Sequence, residues 1–235
     1  MPSAAPRLPV LPPLVPRRGN AVSRAFGRAV FFALGWRVEG NLPNSARCVM
    51  IAAPHTSTTD IVVAMAAKVA LGIRINWLGK HTVHKPPLGW LLKYMGAVPV
   101  DRTAPHGVVG QIVEKFRLEP DFYLGLAPEG TRRRTTTWKS GFHRAAHLAG
   151  VPIVTLALDY STRTLRVGPP FTATDDFAAD LAVLRQRFNS AMAFRPERYA
   201  DPEVATEGPR PNAPVTVSGT GAPRGVGARQ PPDGE

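Results

Sequence analysis

An α/β fold, a single domain on a mixed, mostly parallel sheet covered by helices, is what three features of this chain predict. Short apolar runs of strand length alternate with helix-length segments, and glycines stand where three of those segments should stop. The third feature is composition: 235 residues with 44% hydrophobic and 20% charged side chains suit one ordinary globular core.

Residues 1–19 are proline-rich and are expected to be disordered, outside a domain placed at 20–200. Pro9, Pro12, Pro13 and Pro16 break the apolar stretch at 8–16, which has no clean hydrophobic region or small-residue cleavage site and does not read as a secretory signal. An N-terminal amphipathic helix is expected over 21–34, because Val22, Phe26, Ala29, Val30 and Ala33 recur at helical spacing while Arg24 and Arg28 fall on the other face. Two readings stand for it: a basic helix lying in a membrane interface, and a helix that caps the core. Strands are expected at 48–53, 73–78, 97–100, 122–127 and 151–158. Helices are expected at 60–71, 88–95, 108–118 and 140–149, with Gly72, Gly96 and Gly150 as stop signals. A last helix is expected over 175–194, and 201–235 reads as a disordered Pro/Gly-rich tail with too few large apolar side chains to offset its ordering entropy.

A formal net charge of +12 calls for an anionic partner, whether phosphate substrate, acidic lipid surface or nucleic acid. The single cysteine, Cys48, excludes an intrachain disulfide and lies in an apolar run as a buried structural thiol. No uncharged apolar stretch approaches the ~18 to 20 residues of a bilayer-spanning helix.

Two polar turns follow strand-like runs. In the first, His55-Thr56-Ser57-Thr58-Thr59-Asp60, a potential general base precedes a carboxylate by five residues. Five residues on a helix are about 140° apart, so the histidine must sit on the turn and fold back for Asp60 to reach it. Asp60 would then hold one imidazole nitrogen while the other takes a proton from a hydroxyl. The plainer reading is a turn histidine beside a capping aspartate. Six histidines and nine aspartates give a chance H-x4-D about 0.2 times in this chain, so the motif needs a companion. The companion is Glu129-Gly130-Thr131-Arg132, where Arg132 offers a fork for an anion, Gly130 permits close backbone approach, and Arg133, Arg134 and Lys139 add positive charge. A solvated basic loop is its plainer reading.

Together these segments resemble the glycerolipid acyltransferase superfamily, in particular bacterial 1-acyl-sn-glycerol-3-phosphate acyltransferases. His55 to Asp60 resembles the first block, Gly96-Ala97-Val98-Pro99-Val100-Asp101-Arg102 the second, Pro128-Glu129-Gly130-Thr131-Arg132 the third, and Val151-Pro152-Ile153-Val154 the fourth. The resemblance covers residues from about 50 to 155 and implies acyl transfer from acyl-CoA or acyl-carrier protein to a lysophospholipid hydroxyl. The acceptor it favours is 1-acyl-glycerol-3-phosphate, with an amino-acid lipid or glycolipid as the alternative. It implies His55 as base, Asp60 as its orienting partner, Arg102 and Arg132 on the acceptor phosphate, and Glu129, Gly130 and Thr131 around the pocket. Lys80 is a weaker anion-binding candidate. No metal or other cofactor is implied, and a peripheral place on the cytoplasmic side of the membrane, against its anionic surface, is expected. Members of the family often carry a longer apolar N-terminus, for which only the 21–34 segment stands here.

Other chemistries fit less well. There is no G-x-S-x-G elbow, and the only cysteine lies mid-strand. His143 and His147 share a helix face but lack the adjacent glutamate of a zinc protease. His81, His84 and His106 have no evident partners. A nucleic-acid-binding module is the alternative of another class, but its expected basic motif with interleaved aromatics is missing, so no nucleic acid is expected as partner.

Overall fold

The computed structural model of the chain describes residues 8–80, 94–101 and 107–203. Strand β2 (Arg47–Ala53) lies between β5 (Phe122–Leu126) and β6 (Ile153–Asp159), and both run parallel to it. Outward from β5 come β3 (Asn76–Lys80) and β4 (Ala97–Val100), and outward from β6 come β7 (Thr164–Val167) and β1 (Arg37–Glu39), for an order β1-β7-β6-β2-β5-β3-β4. Only the β6–β7 pair among these is antiparallel. The sheet is therefore mixed and mostly parallel, as the alternation of runs predicts.

Period-two alternation along β2 divides the core. Cys48 and Met50 point to one face, where α1 (Ala21–Ala33) and α2 (Thr59–Leu71) cover them with Phe31, Val63, Ala67 and Ala70. Val49, Ile51 and Ala53 point to the other, against α3 (Gly107–Leu118), α4 (Gly141–Ala149) and α5 (Phe177–Arg185) through Ile112, Phe116, Phe142, Ala145 and Leu181. Strand β2 is apolar throughout because both its faces are covered. Cys48 is fully buried, and burial pushes its thiol pKa well up. Gly72 and Gly150 end α2 and α4 in the left-handed conformation, at φ 68° and 62°, as their positions predict.

Four expectations need correction. Residues 8–19 are not disordered: Val15 is buried in the core, Arg18 N–H donates to the Gly72 carbonyl (2.9 Å), and Arg74 N–H donates to the Pro16 carbonyl (2.9 Å). Prolines with fixed φ lose little entropy on ordering, and the segment meets backbone groups that the end of α2 leaves unpaired. The domain thus begins before residue 20. At the other end, Glu203 N–H donates to the Thr136 carbonyl (2.6 Å), so the first residues of the expected tail are docked as well. Residues 204–235 lie outside the described residues.

The last helix is shorter than expected. Asp176 caps α5 by accepting from Ala179 N–H (2.9 Å), but the helix stops at Arg185 and two 3₁₀ turns follow, Ser190–Met192 and Pro196–Arg198. Asn189 accepts from Met192 N–H with its side chain, a local bond that competes with helix continuation. Finally, β1 and β7 have no counterpart in the expected strands. They are three and four residues long and carry Arg37, Glu39 and Arg166 among their few apolar side chains, so neither forms an apolar run. The helix expected at 88–95 lies largely outside the described residues.

Candidate active site

Because β2, β5 and β6 are adjacent and parallel, the turns after them emerge side by side at one sheet edge, about 5 Å apart per strand. These turns carry His55, Glu129 and Tyr160. After β2 the chain passes a cis Ala53–Pro54 peptide to His55 and enters α2 at Thr59. Asp60 stands in the first turn of α2, where unpaired amides and the helix dipole favour an anion. Its Oδ2 accepts from the N–H groups of Thr56 and Ser57, both at 2.8 Å. The same oxygen lies 3.2 Å from His55 Nδ1, so the histidine folds back as the five-residue spacing requires. The Asp60 side chain is 1% exposed and that of His55 20%. One imidazole nitrogen is thus held by a buried carboxylate in a ring that solvent can still reach.

On the neighbouring turn, both carboxylate oxygens of Glu129 accept from His55 N–H at 3.1 Å. Burial raises the Glu129 pKa, the bond from the His55 amide partly offsets this, and the Asp60 charge raises it further. Gly130 sits at φ 64°, and a Cβ there would lie 2.8 Å from Lys139 Cε, so the glycine makes room for the lysine stem. Thr131 Oγ1 accepts from Arg133 N–H (3.1 Å), which pins the turn. Arg132 crosses to the other motif and donates to Thr58 Oγ1 (3.0 Å). One of its donors is engaged, and the rest of the fork is exposed beside Arg133, Arg134 and Lys139.

His55, Asp60, Glu129, Gly130, Thr131 and Arg132 are thus gathered on two adjoining turns. Lys80 ends β3, farther along the same sheet edge, and Arg102 lies outside the described residues, as do His81, His84 and His106. His143 and His147 are engaged elsewhere. His143 Nε2 lies 2.7 Å from Asp180 Oδ2 in the core, while His147 meets the Ala173 carbonyl and Asp175.

Sequence reading missed two contacts of this site. Tyr160 O–H donates to Asp60 Oδ1 (2.9 Å) across 100 positions of sequence, and Arg195 N–H donates to Thr56 Oγ1 (3.1 Å). Tyr160 lies just past the strand-like run of the fourth block, which was its one available signal. Sequence spacing does not reveal that β6 lies next to β2.

Comparison with known proteins bears on the family and the fold. Residues 36–159 match the family model described as Acyltransferase. No curated protein sequence matches the chain. Among solved structures, the chain is similar to the 1-acyl-sn-glycerophosphate (LPA) acyltransferase PlsC from Thermotoga maritima, at 20% identity and a TM-score of 0.51, over 71% of this chain and 74% of that one. At that identity the likeness concerns the fold.

Proposed function

This chain belongs to the acyltransferase family, and we propose that it moves a fatty acyl group from a coenzyme A or carrier-protein thioester to the hydroxyl of a lysophospholipid, with lysophosphatidate as the favoured acceptor. The observation that carries the proposal is the contact of His55 Nδ1 with the buried Asp60 carboxylate at the sheet edge. With Nδ1 so engaged, Nε2 takes the proton of the acceptor hydroxyl as its oxygen attacks the thioester carbonyl carbon. Asp60 stabilises the imidazolium that results. As the tetrahedral intermediate collapses the C–S bond breaks, and the imidazolium returns its proton to the departing thiolate.

Arg132 and the basic loop support an acceptor with a phosphate, since a planar fork pairs with two phosphate oxygens. The Thermotoga protein of similar fold is named for a phosphate-bearing acceptor, in keeping with this choice. Lys80 and Arg102 belong to the same proposal as further anion donors, and Glu129 holds the His55 backbone in place. No helix of the described residues is long and apolar enough to cross a membrane. Access to lipid substrates is proposed instead through peripheral attachment to an anionic surface.

The test is release of free thiol from acyl-CoA by the purified protein with a panel of acceptors: lysophosphatidate, other lysophospholipids, an amino-acid lipid and a glycolipid. Lysophosphatidate should give the highest kcat/KM. Thiol release above background with none of them would overturn the proposal, and preference for an uncharged acceptor would overturn the phosphate assignment.

A further inference from the structure

We infer that Tyr160 is a positioning residue of this reaction: its hydroxyl fixes the Asp60 carboxylate, and through it the His55 imidazole. The inference rests on the acyltransferase reading above. An ionised carboxylate only accepts hydrogen bonds, so in the 2.9 Å contact between Tyr160 Oη and Asp60 Oδ1 the phenol must be the donor. The two carboxylate oxygens then have different duties. Oδ2 takes the Thr56 and Ser57 amides and faces His55 Nδ1, while Oδ1 takes Tyr160. A donor on each oxygen prevents the carboxylate from turning about its Cβ–Cγ bond, which would move the oxygen that orients the imidazole.

The phenol is itself held. Its ring meets Trp36 edge-on at 4.8 Å and Phe194 at 5.0 Å, and its backbone N–H donates to the Met192 carbonyl (3.0 Å). Next to Phe194, Arg195 N–H bonds Thr56 in the catalytic turn, so the segment after α5 touches both Tyr160 and the loop that carries His55. Burial and the Asp60 charge push the phenol pKa well up, so the hydroxyl stays protonated and acts as a permanent donor, with no part in acid–base exchange. Among the described residues, His55, Glu129 and Tyr160 interact with Asp60, and the Arg132 guanidinium reaches Thr58 two residues before it. A tyrosine whose hydroxyl is merely satisfied by a nearby carboxylate would share these contacts, but its loss would not reach the chemistry.

Tyr160→Phe separates the two, since it removes only the hydroxyl and keeps the ring packing. In the full-length protein, kcat with lysophosphatidate and acyl-CoA should fall about tenfold or more, the scale of one lost hydrogen bond to a charged group, while both KM values stay within about twofold. The acid limb of the kcat/KM profile should move to higher pH, because a carboxylate that has lost a donor holds the imidazolium more tightly. Combined with Asp60→Asn, the same change should cost little more, since a residue acting through Asp60 has nothing left to position. A kcat within about twofold of wild type, an unchanged acid limb, a KM-only effect, or a full additive loss in the Asp60→Asn background would each overturn the inference. His55→Ala is measured alongside. If it abolishes turnover while Tyr160→Phe does nothing, positioning alone fails; if it leaves turnover intact, the catalytic reading fails.

Discussion

Asp60 and Glu129 are buried carboxylates on neighbouring turns, yet their surroundings give them different work. Asp60 faces the imidazole; Glu129 faces the backbone amide of the same histidine. His55→Ala should therefore abolish acyl transfer, with a loss of about 100-fold or more in kcat, while the thermal midpoint barely moves because a half-buried turn histidine contributes little packing. A folded variant that kept more than about a tenth of wild-type kcat would remove His55 from the role of base. Glu129 makes a different demand. Glu129→Gln keeps an acceptor for His55 N–H and should stay within about threefold of wild type, whereas Glu129→Ala leaves that amide unpaired and should lose about tenfold or more. Equal losses in the two variants, by steady-state kinetics, would show that charge matters rather than the acceptor. Sequence made His55, Asp60 and Arg132 legible because each has a chemistry set by its type and spacing. It assigned Glu129 to the pocket without its partner, because a bond between positions 55 and 129 depends on β2 and β5 being neighbours.

At the scale of elements, α2 illustrates what apolar patterning conceals. Lys68 lies in its last turn, amid residues that read as a plain buried helix, and its ammonium donates to the Ile75 and Met95 carbonyls at 2.7 Å each. Those carbonyls precede β3 and β4, so one side chain ties the end of α2 to both strands at the far side of the sheet. Burial, with a smaller effect of Arg18, lowers the Lys68 pKa from 10.5 to about 8. The sign follows from linkage: between about pH 8 and 10.5 the unfolded chain binds the proton more tightly, so stability gains with rising pH. Urea unfolding should show wild type gaining stability relative to Lys68→Met as pH rises from about 7 to 9. A constant difference across that range would mean that Lys68 is not depressed. Strands β2, β3, β5 and β6 and helices α1 to α4 were legible from their apolar runs, and the four-residue β4 because its residues are all apolar and follow the Gly96 stop signal. Strands β1 and β7 and the early end of α5 were not, because β1 and β7 interrupt their few apolar residues with charged ones, and the local bond of Asn189 starts a separate turn where the pattern reads as one helix.

For the whole molecule, the uneven distribution of charge and apolar surface bears on how a lipid substrate is reached. The first 38 residues hold six arginines and no acidic residue. Among the described residues, Arg17, Arg24 and Arg28 bond only backbone carbonyls. Helix α1 caps the core with one face and leaves apolar side chains exposed on another. Gly27 and Phe31 pack inward, with Gly27 so close to Ala70 that a Cβ would lie 2.6 Å from its nitrogen, while Val22 and Phe26 remain 76% and 69% exposed. Val10 and Leu14 are exposed as well, so the N-terminal side presents arginines interspersed with apolar side chains. On this basis the full-length protein is expected to bind anionic vesicles at low salt and to release them as salt rises, each basic residue near the surface contributing about 1 kcal/mol. The variant to make is Val22→Ser with Phe26→Ser, which spares the core, whereas Val30 packs against it. It should stay folded, sediment less with anionic vesicles, and turn over bilayer-presented lysolipid more slowly than wild type while handling a short-chain soluble acceptor nearly as well. Sedimentation of the folded variant equal to wild type, or failure of wild type to bind anionic vesicles at low salt, would remove this surface as the point of attachment.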